Sequence, residues 1–128
     1  MVQPLSRTVL VVDDDGDLRQ VLRLALSEMS GVHVVEAASG EEALRIAERL
    51  LPDAILLDVK MPGMGGPATM AALRASPATR HVPVLFLTAN PEPVDVEKLR
   101  AMGAVTVLTK PFRPAHLVTE LRKALRWS

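Results

Sequence analysis

The chain alternates short runs of β-branched and other apolar residues with segments whose apolar residues recur at helical spacing. This alternation favours parallel strands covered by helices, because parallel neighbours need a crossover between them. Three of the strand candidates are near-continuous apolar runs, as expected of strands buried on both faces. The predicted strands are Thr8–Val12, Val32–Glu36, Ala54–Leu57, Val84–Leu87 and Val105–Leu108.

Each strand candidate is followed by a helix candidate. The first helix has apolar residues at helical spacing from Leu18 to Met29, and Ser39 with Glu42 predicts a capping box at the start of the second. The predicted core face of the second helix consists of Ala43, Ala47, Leu50 and Leu51. The last three helices are predicted to begin near Pro67, to cover about Val94–Met102 before Gly103, and to begin near Pro114.

These elements predict an α/β fold of the (βα)₅ type, a doubly wound parallel sheet with the flavodoxin-like strand order 2-1-3-4-5. At 128 residues the chain has room for one domain, so residues 1–128 are expected to form it without an output domain. Whether the chain is a stand-alone protein or part of a longer one stays open. Ligands of such sheets bind beyond the carboxyl ends of the strands.

Composition argues against several classes of function. Fifteen basic residues balance fifteen acidic ones, which gives no electrostatic reason to expect a nucleic acid or an anionic membrane as a direct partner. The sequence has no cysteine, so disulfides and thiolate metal sites are excluded. No segment resembles a signal peptide or is apolar for long enough to span a bilayer, and a cytoplasmic location is expected.

Acidic residues follow two of the predicted strands. Asp13, Asp14 and Asp15 come directly after the first strand, and Asp58 follows the third. The run at 13–15 could simply cap the first helix, and Asp58 could simply begin a turn. Carboxylates from two strands that converge on one edge would instead repel one another unless a cation such as Mg²⁺ neutralised them.

Two further polar residues are expected at the same edge. Thr88 follows the fourth strand and Lys110 follows the fifth. Alone, each is an ordinary polar residue at the end of a strand. Together with the acids they supply a carboxylate nucleophile, a cation site, a hydroxyl and an ammonium group, which is a set suited to phosphoryl transfer.

Four segments carry a specific resemblance that runs nearly end to end. They read Leu-Val-Val-Asp-Asp at 10–14, Leu-Leu-Asp-Val-Lys-Met-Pro-Gly-Met at 56–64, Leu-Thr-Ala at 87–89 and Leu-Thr-Lys-Pro-Phe at 108–112. In order and spacing they resemble the motifs of response-regulator receiver domains of two-component systems, including the single-domain chemotaxis regulators. The resemblance implies phosphorelay signalling, with a histidine kinase or histidine phosphotransfer protein as the phosphoryl donor.

The resemblance also implies a role for each site residue. Asp58 would be the phosphoacceptor, and Asp14 and Asp58 would bind Mg²⁺ directly, with Asp13 acting largely through water. The Lys60 backbone carbonyl would add a ligand, and Thr88 and Lys110 would bind phosphoryl oxygens. The family pattern further implies a cis peptide bond between Lys110 and Pro111. A downstream protein would bind the face formed by the fourth helix, fifth strand and fifth helix.

The sequence departs from the family pattern at three places. Gly65-Gly66 replaces the usual Asp-Gly, so a side-chain cap for the third helix is missing and a looser turn is expected. Val107 replaces an often aromatic residue, which predicts signalling chiefly through the loop Thr88–Val94 and the fourth helix. Lys60 and Asn90 occupy the variable positions that flank the site.

Two enzyme or cofactor-binding alternatives are less favoured. A phosphatase with an aspartyl-phosphate intermediate would typically carry a second acid two residues after Asp58, where this chain has Lys60. A flavin-binding module would need a hydroxyl- and glycine-rich loop where Asp13–Asp15 stand. The scattered His33, His81 and His116 are not expected to bind a metal or to carry a phosphoryl group. We therefore expect a phosphoacceptor switch rather than an enzyme.

Overall fold

The computed structural model describes residues 6–89 and 92–127, in which strands and helices alternate. The strands are β1 (Arg7–Val12), β2 (Val32–Ala37), β3 (Ala54–Asp58), β4 (Val84–Thr88) and β5 (Thr106–Thr109). The helices are α1 (Gly16–Leu26), α2 (Gly40–Leu50), α3 (Gly66–Ala75), α4 (Pro93–Ala101) and α5 (Pro114–Leu125). The predicted (βα)₅ alternation is confirmed.

The strands form one parallel sheet in the order β2-β1-β3-β4-β5, which confirms the prediction. Alternate residues of each strand enter two apolar clusters on opposite faces of the sheet. Leu10 and Val12 of β1 pack with α2, α3 and α4, whereas Val9 and Val11 pack with α1 and α5. Covering both faces leaves the sheet edges and strand ends as the places where polar groups can reach solvent.

The helices begin in two different ways. The Asp15 carboxylate caps α1 by accepting hydrogen bonds from the Asp17 and Leu18 amides, and Ser39 caps α2 by accepting from the Glu42 amide. The Glu42 side chain accepts in return from the Ala38 amide at 3.1 Å, so the predicted capping box closes one residue before Ser39. Helices α3, α4 and α5 have proline in the first turn and no side-chain cap hydrogen bond.

The structure corrects the predicted core face of the second helix. Ala43 and Ala47 are fully buried, but Leu50 is 52% exposed and Leu51 is 54% exposed. The helix ends at Leu50, and Leu51 takes a left-handed conformation with φ of 49°. Because the chain leaves the helical path at Leu51, helical spacing no longer directs that side chain into the core, and Leu50 is the last residue of the helix.

Smaller differences concern element ends. Helix α1 ends at Leu26, before Met29, although Met29 is still buried against α1 and the sheet. Val105 precedes β5 and is 38% exposed. The predicted stop of the fourth helix is borne out, since Gly103 follows α4 with φ of 102°. Within the described ranges, no helix has the length and hydropathy needed to cross a bilayer.

Candidate functional site

Four neighbouring strands deliver polar residues to one edge of the sheet. Asp13 and Asp14 follow β1, Asp58 ends β3, Thr88 ends β4, and Lys110 directly follows Thr109 at the end of β5. The parallel registers align these ends, with Val12 opposite Leu57 in β3 and Thr88 opposite Thr109 in β5. The long-range convergence thus follows from the strand order rather than from any local motif.

Three carboxylates meet at this edge. One oxygen from each of Asp13, Asp14 and Asp58 lies within 4.8 Å of the other two. Asp13 and Asp58 are 1% and 6% exposed, whereas Asp14 is exposed to solvent. Three hard oxygen donors with one open side are suited to Mg²⁺, which keeps several waters and binds few protein carboxylates. The donor set therefore fits the cation that the sequence predicts.

Lys110 links the two buried carboxylates. Its Nζ donates to Asp13 Oδ2 and to Asp58 Oδ1, both at 3.0 Å. Burial alone would lower the pKa of Lys110, but hydrogen bonds to Asp58 and Asp13 outweigh burial and raise it. The ammonium group is therefore charged at neutral pH and offsets part of the negative charge.

The compensation of Asp58 is incomplete. Burial, together with repulsion from Asp13 and Asp14, raises the pKa of Asp58 above its ordinary value of 3.8 despite the hydrogen bond from Lys110. The Lys110 ammonium group is shared by two buried carboxylates. Its single positive charge therefore does not offset the effect of burial on the pKa of Asp58. A site of this kind gains from a further cation.

A cavity of about 210 Å³ opens beside Asp58. Its lining comprises Asp58, Val59, Lys60, Thr88, Ala89 and Lys110. The predicted site residues Lys60 and Thr88 therefore border the same space as Asp58, with Lys60 exposed and Thr88 buried. The Lys110–Pro111 peptide is cis, as the resemblance implied. Asn90 and Pro91, part of the loop predicted to carry the signal, lie outside the described residues.

One side chain at the site was not singled out from the sequence. Arg19 of α1 donates from Nη1 to the Asp13 carbonyl oxygen at 2.7 Å and from Nε to Glu36 Oε1 at 3.0 Å. The sequence shows only that an arginine lies about one turn into the first helix. Many surface helices have an arginine at such a position, so it does not by itself indicate a site residue. The contact with Glu36 also depends on β2 lying beside β1, so the residues around Arg19 alone do not predict it.

Comparisons with known proteins were consistent with this geometry. The family model of the response regulator receiver domain matches residues 9–122. The solved chemotaxis protein CheY4 of Vibrio cholerae is 35% identical, with a TM-score of 0.87, over 93% of this chain and 98% of that one. The receiver domain of the sensor histidine kinase PA1611 of Pseudomonas aeruginosa, solved with magnesium in its active-site cleft, is 33% identical with a TM-score of 0.84, over 94% and 98%.

A curated relative is longer than this chain. The DNA-binding response regulator MtrA of Mycolicibacterium paratuberculosis is 37% identical over 122 residues, which make up 95% of this chain and 52% of MtrA. The chain spans about half the length of the curated relatives that it matches.

The fold and its acidic edge are those of a phosphorelay signalling module. The chain belongs to the response regulator receiver domain family of two-component systems.

Proposed function

We propose that Asp58 accepts a phosphoryl group from a phosphohistidine, with Mg²⁺ bound by Asp13, Asp14 and Asp58. The observation that carries this proposal is the convergence of three carboxylates and the Lys110 ammonium group at one edge of the sheet, where Asp58 and Lys110 border the cavity. The backbone carbonyl of Lys60, at the same cavity, is the further ligand in this proposal. A bound cation would neutralise charge on the phosphoryl oxygens and reduce repulsion of the incoming group.

In the proposed reaction an Asp58 carboxylate oxygen attacks phosphorus and the bond from phosphorus to the donor's imidazole nitrogen breaks. The electron pair of that bond stays on the ring nitrogen, a proton on the other ring nitrogen lets the donor leave as neutral imidazole, and an acyl phosphate forms on Asp58. Lys110 is already 3.0 Å from Asp58 Oδ1, so its ammonium group can move to a phosphoryl oxygen as the Asp58 carboxylate becomes phosphorylated. Thr88 can donate its hydroxyl hydrogen to another.

The proposal makes this chain a switch rather than an enzyme with an external substrate. Its phosphoryl donor would be a sensor histidine kinase or a histidine phosphotransfer protein in the cytoplasm. The phosphorylated form would bind a downstream protein through α4, β5 and α5. Direct contact of these residues with nucleic acid or membrane is not part of the proposal, although the relative MtrA is named as DNA-binding.

The direct test is intact mass after incubation with acetyl phosphate and Mg²⁺. We expect one phosphoryl group on the wild type, none on Asp58→Asn, strongly reduced uptake in Asp14→Ala, and none with excess chelator. Asp17→Asn is the matched control, because Asp17 is an exposed acid of the same segment outside the carboxylate cluster. Normal labelling of Asp58→Asn would exclude Asp58 as the acceptor.

We also expect the phosphorylated form to hydrolyse slowly. Lys60 is exposed at the mouth of the cavity, where its long cationic side chain can lie over the phosphoryl group and obstruct an in-line water. Lys60→Ala should therefore lose phosphate several-fold faster than the wild type, as timed by intact mass after removal of the donor. An unchanged or slower rate would show that Lys60 does not shield the group.

A further inference from the structure

We infer that Arg19 is a positioning residue that orients the Asp13–Asp14 peptide, and through it the carboxylates proposed to bind Mg²⁺. The inference builds on the proposed cation site. Arg19 reaches the Asp13 carbonyl oxygen at 2.7 Å with Nη1, a short charge-assisted hydrogen bond. The same guanidinium group is held from its other side by Glu36.

The Asp13–Asp14 peptide connects two residues with different surroundings. The Asp13 carboxylate already accepts from Lys110 and from the Asp15 amide at 2.9 Å, and the Asp13 amide donates to Ala37 at 3.2 Å. Asp14 is exposed, so packing does little to fix its carboxylate. The orientation of the preceding peptide therefore sets where the Asp14 side chain leaves the backbone, and Arg19 holds the carbonyl of that peptide.

Glu36 holds the guanidinium group of Arg19 in place. Its two carboxylate oxygens accept from Arg19 Nε at 3.0 Å and from Arg23 Nε at 2.8 Å. These pairs, most strongly the hydrogen bond from Arg23, hold the pKa of Glu36 below its ordinary value of 4.5. Glu36 lies in β2, which is paired with β1, so the chain of contacts runs from the edge strand through Arg19 to the carboxylate cluster.

Arg19 and Arg23 form a matched pair of test sites. Both are on α1 and both bind Glu36, but only Arg19 is hydrogen-bonded to Asp13 in the described structure. Replacing either arginine removes one ion pair with Glu36, and only replacing Arg19 releases the Asp13 carbonyl. A merely structural role for these ion pairs would affect both variants in the same way.

Charge and orientation predict opposite signs for Arg19. Removing the cation that is hydrogen-bonded to the Asp13 backbone would strengthen Mg²⁺ binding at the neighbouring carboxylates if only the charge mattered. Releasing the peptide would weaken it. Arg19→Lys separates the two effects, because lysine keeps the charge but lacks the planar fork that serves the Asp13 carbonyl and Glu36 at once.

The experiment titrates Mg²⁺ into unphosphorylated wild type, Arg19→Ala, Arg19→Lys and Arg23→Ala, with backbone amide NMR as the readout. We expect both Arg19 variants to bind on the order of tenfold more weakly, as for loss of other groups that orient metal ligands, and Arg23→Ala to stay within about twofold of the wild type. Without Mg²⁺, the Asp14 and Asp15 amide resonances should shift in the Arg19 variants and stay in place in Arg23→Ala. Stability of the metal-free protein, from urea unfolding, should fall by a similar small amount in Arg19→Ala and Arg23→Ala.

The outcomes separate the inference from the proposed function. If the wild type binds no Mg²⁺, the proposed function fails whatever Arg19 does. If the wild type binds but Arg19→Lys binds equally well, or Arg19→Ala binds more tightly, the positioning role is wrong. Equal weakening in Arg23→Ala would overturn it as well, since general loosening of α1 from β2 would then explain the effect. Should Arg19→Ala fail to fold, Arg19→Lys decides alone.

Discussion

The loops before α1 and α2 and the loops before α3, α4 and α5 are built differently, although all five leave the same edge of the sheet. Side chains cap the first two helices, through Asp15 and through Ser39 with Glu42. The last three begin at a proline or next to one, and no side chain caps them. We call these two sets the capped helices (α1 and α2) and the proline-started helices (α3, α4 and α5).

The two kinds of helix start lie next to different residues of the proposed site. The loop before the capped helix α1 carries Asp13 and Asp14, whereas the loops before the proline-started helices follow Asp58, Thr88 and Lys110. Side-chain hydrogen bonds fix the start of a helix, so the cap at Asp15 would help to position Asp13 and Asp14, the two proposed cation ligands that precede α1. Proline restricts φ but donates no hydrogen bond, so the loops next to the proposed phosphoryl site would break fewer hydrogen bonds if they moved.

The start of α3 is the exception, because close packing fixes it. A Cβ at Gly66 would collide with the Asp58 carbonyl oxygen and lie 2.9 Å from Val59 Cα. Gly16, at the equivalent first position of the capped helix α1, leaves room, since its Cβ would meet only the flexible end of Arg19 at 3.4 Å. The Gly66 amide also donates to the Val59 carbonyl at 3.0 Å.

The largest expected effect is therefore that of Gly66→Ala. It should lower the free energy of unfolding by about 2–3 kcal/mol, since backbone atoms cannot move aside as a side chain can. Gly16→Ala should leave stability unchanged or raise it by about 0.5 kcal/mol. Urea unfolding of the metal-free proteins measures both. Equal, small effects would mean that the start of α3 yields easily and that packing does not fix it.

A smaller effect is expected from removing a cap. Ser39 accepts from the Glu42 amide at 3.1 Å and lies outside the carboxylate cluster. Ser39→Ala should lower the free energy of unfolding by about 1 kcal/mol. Ser30→Ala is the control, because Ser30 is exposed and its side chain has no hydrogen bond with any described residue. A loss as large in Ser30→Ala would mean that the hydrogen bond of Ser39 does not stabilise the start of α2.

The sequence predicts those features that depend on where a residue lies within its own strand or helix. It does not predict contacts that depend on how neighbouring elements pack. Alternating strands and helices predicted the sheet and its order, because connection rules leave few topologies once the elements are known. The polar residues at strand ends then predicted which groups would meet at the carboxyl edge. Both predictions use only the positions of residues along their own elements.

The features that sequence reasoning missed depend on lateral packing. Arg19 and Glu36 are 17 residues apart and meet only because β2 lies beside β1. From the sequence, Gly65-Gly66 indicated only that the third helix lacks a side-chain cap. The missing cap is confirmed, but the close approach of Asp58 and Val59 is the stronger constraint. The apolar pattern of the second helix continues to Leu51, although the helix ends at Leu50. The contacts of Arg19 and Gly66 cannot be predicted without the neighbouring elements, and the exposure of Leu51 depends on where the helix ends.

The smallest expected effect concerns the acid dependence of the region around α1. The pKa of Glu36 is lowered in the folded protein by its hydrogen bonds and ion pairs with Arg23 and Arg19. A carboxyl group with a lowered folded pKa stabilises the protein above its unfolded pKa, and that contribution is lost as pH falls through the folded value. Glu36→Gln should therefore be less stable than the wild type by about 0.5 kcal/mol at neutral pH, as expected for a largely solvated ion pair.

The difference between the two proteins should shrink as pH falls below about 4.5, the ordinary value for Glu36. Glu97→Gln on the proline-started helix α4 is the control, since Glu97 is exposed and has no ion pair with any described residue. Its stability should track that of the wild type throughout the titration. Urea midpoints between pH 3.5 and 7 measure both curves. Added salt should narrow the gap for Glu36→Gln, because exposed ion pairs are screened. If the gap instead persists unchanged down to pH 3.5, the charge of Glu36 does not account for its contribution to stability, and the assignment to the ion pairs with Arg19 and Arg23 is wrong.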